Sequence, residues 1–229
     1  DDISSIRDNP NIKNPSFFIF PNPPFFSPLN FLRFIIYHLF GLNPAFYRLA
    51  NIFSHLFSTW AIYFLVGLFF VPPINFFVAS LFAVHPILTE SVTWISGGPY
   101  SIATMFILFS FLAYIFSSHN KNLGIHLFSL LTFFVALLTF EKIIIFPFIL
   151  SVYEFTFGNL KNNWRKLIPF FGISLLGAVY LVGLFGAKTV LLQTYHYQEP
   201  GIENLLIKIP IAIVSYIGLI FWPKNLTLY

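Results

Sequence analysis

Residues 44–71 read PAFYRLANIFSHLFSTWAIYFLVGLFFV, and Arg48 is the only charged residue in this stretch. About 20 apolar residues in a helix are enough to cross the roughly 30 Å of hydrocarbon in a bilayer. The stretch therefore predicts a membrane-spanning helix. Six further apolar segments follow it, so we predict about seven spans, at 44–71, 74–90, 98–117, 123–140, 143–158, 167–186 and 205–222.

The composition of the whole chain indicates the same class of protein. Of 229 residues, 57% are hydrophobic and only 9% are charged, and the mean hydropathy is +0.80. Soluble domains carry about a quarter charged residues, so lipid must be the solvent for much of this surface. The predicted fold class is all-α, a polytopic transmembrane helical bundle. The net charge of +4 is not gathered into a basic run, which argues against nucleic acid as a partner.

Residues 1–43 differ from the rest of the chain. They begin polar and are then interrupted by several prolines, while 29–43 contain Arg33 and His38 and are too short to cross a bilayer comfortably. We predict an interfacial helix there. The predicted parts are thus an extracytoplasmic first loop with this helix (1–43) and a transmembrane bundle (44–229). The chain begins with Asp1 and not with Met, and its sequence breaks off within a segment at Tyr229. We therefore expect it to be a fragment.

The loops predict which way the bundle faces. The loops at 118–122 and 158–166 share a side, and they carry Lys and Arg but no acid, so that side should be cytoplasmic. Glu154 lies towards it. The other seven acids fall on the extracytoplasmic side, and they are Asp1, Asp2, Asp8, Glu90, Glu141, Glu199 and Glu203. Any chemistry is therefore expected on the outer face.

Two adjacent acids, Asp1 and Asp2, are the first candidates for that chemistry. One carboxylate could act as a general base while the other orients it or binds a cation. The alternative is a pair of solvated loop acids. The six histidines show no metal-ligand spacing and there is no cysteine, so the local sequence supports no metal site, a divalent cation included.

The second candidate is the stretch 81–98, LFAVHPILTESVTWISGG, which places His85 and Glu90 near the outer interface. Ionisable groups at membrane depth are costly and indicate function. Their alternative role is to cap and solvate a helix end. The third candidate, Glu141 with Lys142, lies in a tight turn that could contact an anionic headgroup or could be an ordinary turn.

Several cations and one further histidine have simple alternatives. Arg33, Arg48 and Lys188 could each pair with a lipid phosphate, although a single cation near the interface commonly snorkels. His55, within the first span, is expected to bond to a neighbouring helix. No phosphate-binding glycine loop of the Gly-x-x-x-x-Gly-Lys type is present, which argues against nucleotide chemistry.

In order along the chain, these phrases resemble the transmembrane, TPR-containing O-mannosyltransferases and their bacterial relatives. The matching phrases are Asp1-Asp2 followed by Asn9-Pro10, Gly41-Leu42-Asn43-Pro44 followed by Asn51 and His55, Leu81-Phe82-Ala83-Val84-His85-Pro86 followed by Thr89-Glu90 and Trp94-Ile95-Ser96-Gly97, Glu141 with Pro147, and Trp222-Pro223 with Asn225-Leu226. The chain differs from the family at Gly98-Pro99-Tyr100, where relatives often have Arg with a nearby Asp. It also has Phe140 where relatives usually have Lys, with Lys142 following.

The resemblance implies the GT-C glycosyltransferase fold, with a helix before Asp1 and more helices, commonly with TPR repeats, after Tyr229. It implies transfer of a sugar, mannose in that family, from a polyprenyl-phosphate donor to an acceptor hydroxyl on the extracytoplasmic side. The acceptor would be a protein Ser or Thr, or a glycan. Asp1 or Asp2 would be the base, and the donor headgroup would be bound by His85, Glu90, Glu141, Lys142 and Arg33.

The partners implied are membrane lipid, the lipid-linked sugar and the acceptor. The membrane would be a bacterial inner membrane, or that of the endoplasmic reticulum in a eukaryote. Two other classes remain open. A transporter or lipid flippase also has many helices and interrupted segments, but its ionisable groups should lie near the bilayer midplane. A non-catalytic membrane scaffold would tolerate loss of both leading aspartates.

Overall fold

The protein is all-α, as the sequence predicts. The computed structural model describes residues 2, 6–9, 12–13, 27–120, 122–192 and 202–223, and it describes no side chain in 183–192 or 202–206. The helices are α1 Pro28–Phe40, α2 Pro44–Gly67, α3 Ile74–Val84, α4 Thr89–Thr93, α5 Gly98–Asn120, α6 Leu123–Thr139, α7 Phe146–Thr156, α8 Leu160–Leu192 and α9 Ile202–Phe221. Short 3-10 turns occupy Pro86–Leu88, Ile95–Gly97 and Glu141–Ile145.

The starts of three helices follow directly from the local sequence. Ser27, Asn43 and Asn122 precede α1, α2 and α6, and each side chain accepts a hydrogen bond from a backbone N–H in the first turn. Such capping satisfies one of the N–H groups that a helix start leaves unpaired. In α1 and α2 a proline follows the cap, where its missing N–H costs nothing.

Three helices are long and apolar enough to cross a membrane, which agrees with a membrane protein. They cover Pro44–Gly67, Ile95–Asn120 and Leu160–Val182. A fourth crossing is possible if Ile74–Val84 and Pro86–Thr93, which are bent by 48° at His85, act as one span. The other predicted spans correspond to shorter helices, namely α6 with 17 residues, α7 with 11 and the apolar part of α9, Ile207–Phe221.

The bundle packs around α5, which lies against α6 and α2, while α3 packs on α2 and α7 on α8. Between α5 and α6, Ser110 Oγ donates to the Ser129 carbonyl at 2.8 Å and Ser129 Oγ donates to the Ser110 carbonyl at 2.7 Å. Small hydroxyl residues allow such close approach and hydrogen bonding between helices in lipid. The main core lies beside this contact, and its buried members are Tyr114, Ile115, Phe133, Phe146, Leu150, Tyr153, Leu167 and Phe170.

The two ends of α5 differ in charge. The acidic end, where α5 begins at Gly98, carries Asp2 and Ser96, with Glu90 and Glu141 on adjoining turns. The basic end, where α5 finishes at Asn120, carries Lys161, Arg165 and Lys166. At 1.5 Å per residue the two ends lie about 33 Å apart, roughly a hydrocarbon thickness. These contacts agree with the division of loops predicted from the charge pattern.

Candidate active site

The acidic end is organised by a contact between two distant parts of the sequence. Asp2 Oδ1 accepts a hydrogen bond from the Ser96 backbone N–H at 2.9 Å and another from Ser96 Oγ at 2.7 Å. The two residues are 94 positions apart. The two Ser96 groups therefore fix the Asp2 carboxylate through one of its oxygens, Oδ1.

The 3-10 turn that carries Ser96 is itself held by buried side chains. Arg33 Nη2 donates to the Ile95 carbonyl at 3.3 Å, and Asn51 Nδ2 donates to the Trp94 carbonyl at 3.0 Å. Arg33 is 7% exposed and Asn51 is 3% exposed, so both groups act out of bulk water. Burial lowers the pKa of the Arg33 guanidinium from its usual value, and attraction by the Asp2 carboxylate opposes that shift.

A small apolar cluster fixes the segment that carries Asp2. Its buried members are Ile6, Ile12, Ile36, Tyr47 and Ile95. These residues come from the first loop, α1, α2 and the turn before α5, so the cluster joins the same elements that meet at the Asp2–Ser96 contact. Burying a side chain of this size stabilises by roughly 1.5–3 kcal/mol, so the cluster holds Ile6 and Ile12 near the turn that contacts Asp2.

His85 occupies the break between α3 and the Pro86–Leu88 turn. Its Nδ1 accepts from the Ile87 backbone N–H at 3.3 Å, and its Nε2 donates to the Ile220 carbonyl of α9 at 2.9 Å. A neutral imidazole with its proton on Nε2 fits both contacts. The capping role that the sequence allowed is therefore observed, and α9 is attached at the same point.

Glu90, Glu141 and Lys142 are exposed at the acidic end. The Lys142 ammonium lies 5.5 Å from the centre of the Phe140 ring, which in turn lies 5.1 Å from the Tyr100 ring at the start of α5. The Glu141–Lys142 turn is thereby placed beside the first turn of α5. The headgroup-binding role of these three residues stays a prediction.

Other predicted groups lie elsewhere or beyond the described part of the chain. Asp1 lies outside the described residues, and the side chain of Lys188 is not described. His55 Nε2 contacts the Ala83 carbonyl of α3 at 3.0 Å, which confirms the expected bond to a neighbouring helix. Within the described ranges no group of three His, Cys, Asp or Glu residues is arranged to hold a metal ion.

One buried carboxylate has a role that the sequence interpretation missed. Glu154 is 1% exposed, and its Oε1 accepts from Tyr114 Oη at 2.9 Å. Its Oε2 accepts from the Asn159 backbone N–H at 2.9 Å and from Asn163 Nδ2 at 3.0 Å. The signal was present, because an acid within an apolar helix needs a partner. These bonds join α5, α7 and α8 at the basic end, so Glu154 is a structural residue.

Gly97 offers a direct test of the turn that holds Asp2. A Cβ at this position would lie 2.9 Å from the Glu90 carbonyl oxygen and 3.3 Å from Ser91 Cα, both backbone atoms that cannot swing away. We expect Gly97→Ala to cost about 1–3 kcal/mol in the free energy of unfolding. We also expect it to reduce any activity of the acidic end by about tenfold or more, because small misplacements of reacting groups are costly.

The matched control for this substitution is Gly172→Ala in α8, where a Cβ would meet no atom within 4 Å. Because alanine favours helix over glycine, the control should keep or slightly raise stability. Thermal unfolding in detergent micelles compares the two variants. Equal behaviour of the two would show that the turn before α5 is not closely packed.

Comparison of the chain with protein-family models, with characterised proteins and with solved structures found no match.

Proposed function

We propose that this chain belongs to a membrane glycosyltransferase of GT-C type, with the seven spans predicted from its sequence. The enzyme would transfer a sugar from a polyprenyl-phosphate donor to an acceptor hydroxyl, on a protein Ser or Thr, at the extracytoplasmic side. The Asp2–Ser96 contact carries this proposal, because it unites the two sequence phrases that the resemblance assigns to one active site. Three membrane-length helices supply the setting that a lipid-linked donor needs.

The proposed reaction is a single displacement. The acceptor hydroxyl oxygen forms a bond to the anomeric carbon of the sugar while the bond from that carbon to the phosphate oxygen breaks. The hydroxyl proton goes to the Asp2 carboxylate, at Oδ2, and polyprenyl phosphate leaves with the bonding electron pair. Ser96 would keep Asp2 oriented through its two hydrogen bonds to Oδ1. Asp1 would be the second carboxylate of the pair.

Cations near Asp2 would stabilise the charge that develops on the leaving phosphate. Arg33 is buried beside this carboxylate, and Lys142 is held near the start of α5 through Phe140. His85, Glu90 and Glu141 would complete the headgroup site. We propose these five as donor-binding residues.

A groove between α2 and α3 offers a place for the lipid chain of the donor. It has a volume of about 520 Å³ and is lined mainly by apolar and aromatic side chains, among them Phe57, Trp60 and Phe76. The end of this groove at Ala83 adjoins His55, whose ring bonds to the Ala83 carbonyl. A polyprenyl chain lying there would be sheltered on one side and meet bilayer lipid on the other.

The direct test uses the full-length protein, purified and reconstituted in liposomes with a radiolabelled polyprenyl-phosphate sugar and a Ser/Thr-rich acceptor peptide. We expect the labelled sugar to appear on the peptide. One molecule of free polyprenyl phosphate should be released for each sugar transferred. A sugar nucleotide supplied in place of the lipid donor should give no labelled peptide. Label that reaches the peptide from the sugar nucleotide alone would contradict a lipid-linked donor.

One observation favours a second candidate, a transporter or lipid flippase. His85 lies at a 48° break between two short helices, and broken helices with polar groups are a feature of substrate pathways in transporters. Both ring nitrogens of His85 are engaged by backbone groups, however, which fits a capping role equally well. The same liposomes separate the candidates, because a flippase would move the labelled lipid between leaflets without labelling the peptide.

A further inference from the structure

The basic end contains a pocket that the proposed transferase reaction does not use. It has a volume of about 880 Å³ and lies between the last turn of α5 and the first turns of α6 and α8. The length of α5 places it about 33 Å from the Asp2–Ser96 contact. The residues that matter for its chemistry are Asn122, His126, Lys161, Trp164, Arg165 and Lys166.

The charge of this pocket is one-sided. Lys161, Arg165 and Lys166 line it, and none of its lining residues is acidic. The one ion pair found among the described residues joins Arg7 to Asp8, so it does not neutralise these cations. Glu154 lies behind the wall, but it is buried and both its oxygens already accept hydrogen bonds from Tyr114, Asn159 and Asn163. The pocket is therefore suited to an anion.

A histidine ring forms part of the wall of the same pocket. His126 lines the pocket, and its Nδ1 is buried with no hydrogen-bond partner in the described part of the chain. Contact with a ligand in the pocket is therefore assigned to the other ring nitrogen, Nε2. The ring is held in place by aromatic neighbours, with Phe170 at 5.8 Å and Tyr114 at 6.3 Å between ring centres.

The position of the pocket indicates what kind of anion it meets. It opens where α8 enters the apolar stretch Leu160–Val182. Trp164 is 51% exposed there, with the Arg165 guanidinium 5.5 Å from the centre of its ring. Exposed tryptophan marks the boundary between lipid and water, where phospholipid phosphates lie. Lysine and arginine are the side chains best suited to bind phosphate.

We propose that the basic-end pocket binds a phosphate group, with Lys161, Arg165 and Lys166 as its cations and His126, through Nε2, as a hydrogen-bonding partner. An anionic phospholipid headgroup and a soluble phosphomonoester share this chemistry. The site is separate from the acidic end, and it does not depend on glycosyl transfer.

The test measures binding to the full protein in neutral detergent. Native mass spectrometry compares retention of dioleoylphosphatidylglycerol with that of dioleoylphosphatidylcholine, and isothermal titration calorimetry measures glycerol 1-phosphate. We expect the protein to retain the anionic lipid or to bind the phosphomonoester. Arg165→Gln with Lys166→Gln should weaken that binding by at least about tenfold, because hydrogen bonds to charged groups are worth 1.5 kcal/mol or more.

Two controls make the result specific to the pocket. Arg7→Gln with Lys208→Gln removes one arginine and one lysine that do not line the pocket, and should leave binding unchanged. His126→Phe keeps the aromatic packing but removes the ring nitrogens, and should weaken binding.

Retention of anionic lipid without glycerol 1-phosphate binding identifies a lipid site, and the reverse identifies a soluble ligand. Equal retention of both lipids with no phosphomonoester binding, or equal losses in both double variants, would overturn the proposal.

Discussion

Asp2→Asn is expected to reduce glycosyl transfer by about 10²-fold or more while leaving the folded protein intact. Asparagine keeps the size of the side chain and retains an oxygen that can accept both hydrogen bonds from Ser96. It cannot take the proton of the acceptor hydroxyl, and general-base catalysis typically contributes 10²–10⁴-fold. Initial rates with the labelled polyprenyl-phosphate sugar, at several donor concentrations, should show a fall in kcat with little change in KM.

The matched control is Asp8→Asn, on the same segment of the chain. Asp8 is exposed and pairs with Arg7 at 3.0 Å. This variant should transfer sugar at the rate of the unmodified protein. If the two variants lose activity equally, the effect belongs to the charge of the segment and not to the carboxylate at position 2.

Glu154→Gln is expected to lower the free energy of unfolding by about 3 kcal/mol. The carboxylate, which lies on α7, accepts hydrogen bonds from Tyr114 on α5, from Asn159 before α8 and from Asn163 on α8. A glutamine can keep its oxygen towards Asn159 and Asn163 and donate its NH₂ group to the Tyr114 hydroxyl, but every bond then joins neutral groups and loses about 1 kcal/mol. The measurement is unfolding in mixed micelles of increasing SDS fraction. The exposed Glu141→Gln should change stability by no more than about 0.5 kcal/mol.

A double-mutant cycle with Tyr114→Phe separates this network from general packing. Tyr114 donates to Glu154 Oε1 at 2.9 Å, so removing the hydroxyl alone should cost about 1 kcal/mol. In the Glu154→Gln background the cost should shrink, because the partners share one interaction. Strictly additive losses, or an unaffected Glu154→Gln protein, would show that the carboxylate does not tie the basic end together.

The helices could be predicted from sequence because apolar length, prolines and caps are local signals. The helix Pro28–Phe40 lies within 1–43 where one was expected, and the break at His85 falls within the predicted span 74–90. The number of crossings could not be fixed in the same way. Helices such as Phe146–Thr156 are apolar but have only 11 residues, and their path depends on what they pack against.

At the candidate site, the sequence indicated which motifs are important but not which residues form hydrogen bonds with one another. Asp2, Ser96 and Asn51 all lie in phrases that were singled out, yet a hydrogen bond across 94 positions has no local signal. Glu154 was noted only for the side of the membrane on which it lies. Its donors come from two separate stretches of chain, at Tyr114 and at Asn159 with Asn163, so their meeting depends on the packing of α5, α7 and α8.

The most direct test of the proposed function is a single-turnover transfer assay with the full-length protein and a variant that lacks both leading carboxylates. In the Asp1→Asn, Asp2→Asn double variant, neither aspartate can act as the base in place of the other. Donor binding should persist, because Arg33 and Lys142 remain. Our account predicts that labelled sugar moves to the acceptor only with the unmodified protein and stays near background with the double variant. Undiminished transfer by the double variant would contradict the role of this carboxylate pair as the base.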